Sequence, residues 1–234
     1  MKNLIVFAIL ILAMVFAQFA HAQTVDDVIN KYIEAMGGKE KLMSLNTVKM
    51  SGSLNVQGTD VGMVITKKNM VGTRVDFSIM GTENYQIVTA DKGTVFMPIQ
   101  QQTAPEPMSD EQFKMGQTQL DVQGALLNYK EKGNNVVLAG KETIDGTECY
   151  KLNVTFKNGI KSDYYISSKD NRICKTSSKM TINGEETDVQ TTYSNYKQNA
   201  GGYWFAYTTV GIRGETNYDS IETNITVDDS IFKN

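Results

Sequence analysis

The chain has 234 residues with 23 basic and 26 acidic side chains, a formal net charge of −3, two cysteines, one tryptophan and one histidine. That length fits one domain with a sizeable core. Mild acidity without a Lys/Arg cluster argues against nucleic acid, whose phosphates require a basic face, and beyond residue 22 no apolar run approaches the ~20 residues of a membrane span.

The N-terminus opens with Lys2, an apolar run from Leu4 to Phe16, and Ala20-His21-Ala22 before Gln23. This is the layout of a secretory signal peptide, residues 1–22, cleaved between Ala22 and Gln23. Leu4–Phe16 is too short for an uncleaved anchor. Gln23, not a cysteine, stands directly after the cleavage site, so the mature chain, residues 23–234, is expected to carry no lipid. Cleavage would remove His21, the sole histidine.

Next comes a helix capped by Thr24 and Asp27. Val28, Tyr32, Ala35 and Met36 recur at helical spacing, and Val25 and Ile29 extend the face. Gly37-Gly38 ends it, and Lys39–Leu45 suits a short second helix. From Thr47 the period becomes two. Val48, Met50, Leu54 and Val56 alternate with polar residues or glycine, followed by Val61, Met63 and Ile65, then Val71, Val75, Phe77 and Ile79, then Tyr85 and Ile87. Alternation broken by turn residues predicts an antiparallel meander with one apolar face.

Residues 100–109, with Pro105 and Pro107, predict a loop. Ser109 and Gln112 form a second capping box, after which Phe113, Leu120, Ala125, Leu126 and Tyr129 fit one or two helices weakened at Gly116 and Gly124. Such a segment is either a movable cover or a packed helix between sheet halves. Strands resume at Asn135. Lys157-Asn158-Gly159 predicts a three-residue hairpin loop that puts Tyr150, Leu152, Val154 and Phe156 on one face, and Asn183-Gly184 a two-residue turn. The total is about eleven strands.

These registers place Cys149 on the polar face, two strands from Cys174, which they turn inward. Two strand spacings are about 9.5 Å and a disulfide needs Cα atoms within about 7 Å, so no bridge is expected. Nine of the 12 methionines lie between Met36 and Met115. Methionine serves as core filler and on surfaces that accept varied apolar partners.

A mature chain without histidine cannot build a Ser-His-Asp or Cys-His centre or a His-ligated zinc site, and no Gly-rich phosphate loop is present. Asp26-Asp27, Glu185-Glu186 and Asp228-Asp229 read as solvated charge, since neighbours on a strand face opposite ways. No catalytic residue, metal or cofactor is expected. What remains is an apolar sheet face with covering helices, either a filled core or an apolar pocket. Its candidate liners are Val48, Met50, Leu54, Val61, Met63, Ile65, Val75, Phe77, Ile79, Tyr85, Ile87, Phe113, Leu120, Tyr150, Leu152, Val154 and Phe156.

The stretch from Val25 to Leu42, with Gly140-Lys141-Glu142 and Asp145-Gly146, Thr191–Lys197, and Val227–Lys233, resembles the periplasmic outer-membrane lipoprotein-sorting proteins of Bacteroidetes. That group is similar to the LolA/LolB lipoprotein carriers. The resemblance implies a mainly β (α+β) fold, a half-open antiparallel barrel covered by helices, and a periplasmic location. It also implies a non-catalytic carrier for lipid or the acyl chains of a lipidated protein. The carriers' locking arginine is not carried over, because Arg74 stands in no matching motif. The same lineage implies possible O-glycans at Ser220 and Ser230, in Asp219-Ser220-Ile221 and Asp229-Ser230-Ile231. The expected partner is a lipid or lipidated protein, with peripheral or no membrane contact and a monomeric state. The alternatives are an envelope interaction module without ligand, in contact with envelope proteins, and an enzyme with a carboxylate site.

Overall fold

The computed structural model describes residues 23–182 and 184–233. Residues 1–22, where a leader and its cleavage site are expected, lie outside the described residues, as does Asn183. Helix α1 (Val25–Ala35) carries both halves of its capping box, Thr24 with Asp27, and α2 (Lys39–Met43) follows Gly37 and Gly38, both at positive φ. Strands β1 (Thr47–Val56), β2 (Thr59–Lys68), β3 (Gly72–Ile79), β4 (Thr82–Thr89), β5 (Gly93–Phe96) and β6 (Glu106–Pro107) come next. Helix α3 (Asp110–Gln117) interrupts them. Strands β7 (Asn135–Ile144), β8 (Thr147–Thr155), β9 (Lys161–Ser167), β10 (Ile173–Ile182), β11 (Glu185–Gln198), β12 (Trp204–Gly211) and β13 (Gly214–Thr223) complete the chain, with a 3₁₀ turn at Asp229–Phe232.

All thirteen strands form one antiparallel sheet in the order β6-β5-β4-β3-β2-β1-β13-β12-β11-β10-β9-β8-β7. The sheet is not closed: β6 and β7 are its two edges. The strand count exceeds the expected eleven partly through β6, a two-residue edge inside the Pro-rich loop. The β1–β13 joint brings the chain's two halves together through a bulge at Ser51/Gly52. Gly52 is needed there, because a Cβ would stand 2.0 Å from the Asn217 carbonyl oxygen.

The hairpin registers follow the turns. Gly159, at φ 87°, closes the β8–β9 loop and pairs Leu152 with Tyr164 and Tyr150 with Ile166. Around residues 183–184, Met180 pairs with Thr187 and Lys179 with Asp188, as expected. The segment after α3 is a correction. Residues 118–133 run through turns rather than helix, with Gly124, Asn128 and Gly133 at positive φ, while Leu126 and Leu127 are fully buried. A succession of left-handed residues ends helical hydrogen bonding.

Two clusters fill much of the concave face. Val28, Ile29, Tyr32 and Ile33 of α1 pack with Leu126 and Leu127 against Leu152, Val154 and Ile166, joined by Tyr150 and Phe156. Leu45, Val48, Tyr203 and Ile221 form the second cluster, with Met50 and Val122 against them. On the convex side the C-terminal turn lies over β3 and β4. A Cβ on Gly72 would meet the Phe232 ring at 2.5 Å, and Arg74 Nη1 donates to the Ile231 carbonyl at 3.1 Å.

The cysteine geometry is the second correction. Cys149 is fully buried, and its Sγ lies 3.0 Å from that of Cys174, both being free thiols. The reason is a bulge in β10. Ile173 pairs with Ile166 and Lys175 with Tyr165, so Cys174 has no partner in β9. The extra residue turns Cys174 to the convex face, where Cys149 already points.

Candidate apolar hollow

Where α1 does not reach, the concave face stays open. A hollow of about 1130 Å³ lies over β1–β5, between the sheet and α3, slightly above the ~300–1,000 Å³ of common small-molecule sites. Its floor is the inward row of each strand. Leu54, Val61, Met63, Val75, Phe77 and Ile79 all line it, six of the sequence candidates. The pairings Met63 with Phe77 and Leu54 with Val61 set these side chains next to each other.

The other candidates stand elsewhere. Ile65 lies in the same row, between Met50 and Val75, outside the lining. Val48 and Met50 belong to the second core cluster. Leu152 and Val154 are core beneath α1, with Tyr150 and Phe156 packed beside them. Leu120 is buried in the segment after α3, its carbonyl accepting from Met70 N at 2.9 Å. Phe113 leans on Gly93 of β5, where a Cβ would meet its ring at 3.0 Å, and so fixes α3 to the sheet edge.

Tyr85 and Ile87 are corrected to the convex face. The two-residue turn Met80-Gly81 pairs Val75 with Gln86 and Thr73 with Val88, which makes Gln86 and Val88 the inward residues of β4. Tyr85 lies under the Arg74 guanidinium at 4.5 Å. Ile87 is apolar although it faces outward, because the C-terminal turn covers β4 on that side.

The sequence reading also missed the polar half of the lining. Gln86, Gln100, Gln102, Gln112 and Gln119 line the hollow together with Met63, Met97, Met108, Met115 and Met180. The methionine bias between Met36 and Met115 was the available signal, since four of these five come from that stretch. Among the lining residues, Arg213 in the β12–β13 turn is the one charged side chain.

Helix α3 roofs the hollow. Its capping box at Ser109 and Gln112 is present. Gly116 rests on Val88, where a Cβ would approach to 2.7 Å. On the far side Glu111 Oε1 accepts from Thr181 N at 2.7 Å, and Asn158 Nδ2 donates to the Lys114 carbonyl at 2.8 Å. Gln117 Nε2 donates to the Ala90 carbonyl between β4 and β5 at 2.8 Å. The roof is therefore tied to both halves of the sheet by polar contacts, and none of its own residues is fully buried.

At the end away from the β1–β2 turn, Lys67 pairs in register with Val48 and Thr73. Its half-buried ammonium reaches Gln119 Oε1 at 3.4 Å, and no carboxylate pairs with it among the described ion pairs. Burial alone pushes its pKa down to about 8. The carboxylate pairs sit apart from the hollow. Asp26 is bound by Lys130 and Tyr129, whose hydrogen bonds hold its pKa below the usual range. Asp27 caps α1, Glu186 pairs with Lys179, and Asp229 meets Lys68 at 2.6 Å. Among the described residues no group of three or more His, Cys, Asp or Glu side chains could hold a metal ion, and no helix is long and apolar enough to cross a membrane.

No protein-family model matches this sequence, and no curated protein matches it. Solved structures do match in fold. A DUF1329 family protein from Desulfovibrio piger superposes with a TM-score of 0.59 at 12% identity, over 91% of this chain and 98% of that one. A LolA superfamily protein from Nitrosomonas europaea gives 0.57 at 15% identity, over 91% and 99%. A domain described as that of an outer membrane lipoprotein-sorting protein from Vibrio parahaemolyticus gives 0.55 at 14%, over 88% and 95%. At such identities the likeness establishes the fold, which is LolA-like.

Proposed function

We propose that this protein is a non-catalytic periplasmic carrier that holds the acyl chains of a lipid or lipidated protein in the hollow between β1–β5 and α3. The observation that carries this reading is the lining. It offers adaptable methionines and branched aliphatics on the floor, neutral glutamines around them, and one charge, Arg213. Transferring acyl surface from water into such a site contributes about 25 cal/mol per Å². Glutamines tolerate an apolar ligand while their amides keep hydrogen-bonding neighbours, as Gln102 does with Met97 N and Glu106. The LolA-like fold supports the same reading, and the leader-like residues 1–22 support export.

Native mass spectrometry of protein purified from its own cell envelope tests the proposal. Co-purifying lipid or lipopeptide, and saturable uptake of a fluorescent acyl probe, are the expected results. A bare protein that takes up no acyl probe would sink the carrier reading and favour an interaction module. The same spectrum reads O-glycans, for which Ser220 and Ser230 are both exposed. The unmodified mass of residues 23–234 would exclude them.

A further inference from the structure

The convex face carries a feature that the hollow does not use. Cys149 stands near the start of β8 and Cys174 near the start of β10, with β9 between them. In a regular sheet two strands so separated would hold their side chains too far apart to bond. Here the β10 bulge leaves Cys174 unpaired and swings it over β9, where its Sγ contacts the Tyr165 carbonyl at 3.4 Å. Cys149 faces Ser167 across the β8–β9 ladder and reaches toward the same point. The two sulfurs stop 3.0 Å apart, about 1 Å beyond the ~2.05 Å of a bond.

We infer that Cys149 and Cys174 are a redox pair that closes to a disulfide across β9 when the chain meets a disulfide oxidant. In the first step one cysteine thiolate attacks a sulfur of the oxidant, forming a mixed disulfide and releasing one oxidant thiolate. The second cysteine, as thiolate, then attacks the protein-bound sulfur of that mixed disulfide. The Sγ–Sγ bond forms and the second oxidant thiolate leaves. Overall the two cysteines lose two protons and two electrons, and the oxidant disulfide becomes two thiols.

The site also fixes when this occurs. Burial, with Cys149 beside it, pushes the Cys174 thiol up to about 12, and Cys149 is fully buried. In the folded chain the Cys174 thiolate is scarce at neutral pH, and Cys149 is buried away from an oxidant. Closure therefore belongs to folding, before β8–β10 are sealed, or to conditions that open them. The bond would tie off the 25-residue separation that holds all of β9, at the sheet end opposite the β1–β2 and β12–β13 turns that flank the hollow. Ligand uptake should not depend on it.

The test uses the full mature chain, reduced and unfolded, then refolded with and without oxidised glutathione, blocked with iodoacetamide in denaturant and weighed intact. Refolding with oxidant should give a mass about 2 Da below the dithiol, no alkylation, and a Cys149–Cys174 peptide on mapping. The same oxidant added to the folded reduced protein at pH 7 should act at least about tenfold more slowly. Oxidised protein should melt roughly 5–10 °C above the reduced form. Cys149→Ser/Cys174→Ser should melt like the reduced form and take up the acyl probe as the parent does. Two alkylated thiols after refolding with oxidant, or glutathione adducts on both cysteines without a bridge, would overturn the inference. If the bridge forms and no acyl probe binds, only the carrier reading fails.

Discussion

Lys67 shows how one side chain can set a pH response. Its folded-state pKa lies near 8, against 10.5 for the free side chain. Below pH 8 both folded and unfolded chains carry the proton, and the folded state bears the cost of a half-buried ammonium. Between pH 8 and 10.5 the unfolded chain binds more protons, so stability rises with pH. The buried tyrosines oppose this only above pH 10: burial raises the pKa of Tyr32, Tyr164 and Tyr193, so stability falls once the unfolded phenols ionise. The raised Cys174 thiol opposes the Lys67 gain in its own range, because the unfolded thiol ionises near pH 9 and the folded one does not. The clean window, pH 8 to 9.5, therefore belongs to Cys149→Ser/Cys174→Ser protein, where chemical denaturation should show a gain of about 1–2 kcal/mol. Lys67→Met should flatten that slope, and an unchanged slope would remove Lys67 as its source. A second residue-scale outcome concerns the floor of the hollow. Val75→Asp places an unpaired carboxylate on the floor beside Ile65, Met63 and Phe77 and should weaken acyl-probe binding at least about tenfold, measured by fluorescence titration on protein with a native circular-dichroism spectrum.

At the scale of elements, α3 is held by few contacts. Glu111 and Asn158 tie it to the β10–β11 and β8–β9 ends of the sheet, and Gly116 lets it sit directly on Val88. Glu111→Ala with Asn158→Ala should speed probe release several-fold in stopped-flow displacement and leave Tm within about 3 °C, since exposed polar contacts contribute little to global stability. An unchanged release rate would mean that ligand leaves by another route. The C-terminal turn behaves differently. Phe232 is buried over Gly72, so Phe232→Ala should cost about 3–4 kcal/mol in denaturant unfolding. A loss under 1 kcal/mol would show that the turn is not packed there.

The same elements show what could be read from sequence. Both capping boxes, the β8–β9 loop and the β10–β11 register were legible because each depends on residues within a few positions. Six floor residues were legible because a one-sided sheet shows strict alternation. Ile87 and Tyr85 misled for a long-range reason, since the C-terminal turn makes part of the convex face apolar. The Met80-Gly81 turn held the register that would have corrected them. Gln86 was invisible, because a polar residue on an inward row looks like the outward row of another strand, and Gln100, Gln102, Gln112 and Gln119 come from turn, loop and helix positions that no strand period marks. Cys174 was misplaced by a single-residue bulge, which reverses every facing beyond it.

At the scale of the whole molecule, thirteen strands in an unclosed sheet leave two outer backbones without a neighbouring strand, at β6 and β7. Such borders invite another chain to add on and grow a filament. The β6 border is two residues long and ends in Pro107, which has no N–H to offer. The β7 border is ten residues long, but Gly140, at φ 128°, sits at a register shift that breaks its straight run. Beyond that break, Lys141 and Glu142 carry exposed charges that pair with Glu148 and Lys151 of β8. Deleting Gly140 and replacing Lys141 and Glu142 with threonine should therefore turn a dispersed protein into one that scatters light and binds thioflavin T at high concentration. These small irregularities thus decide whether an open sheet can exist at high concentration without polymerising.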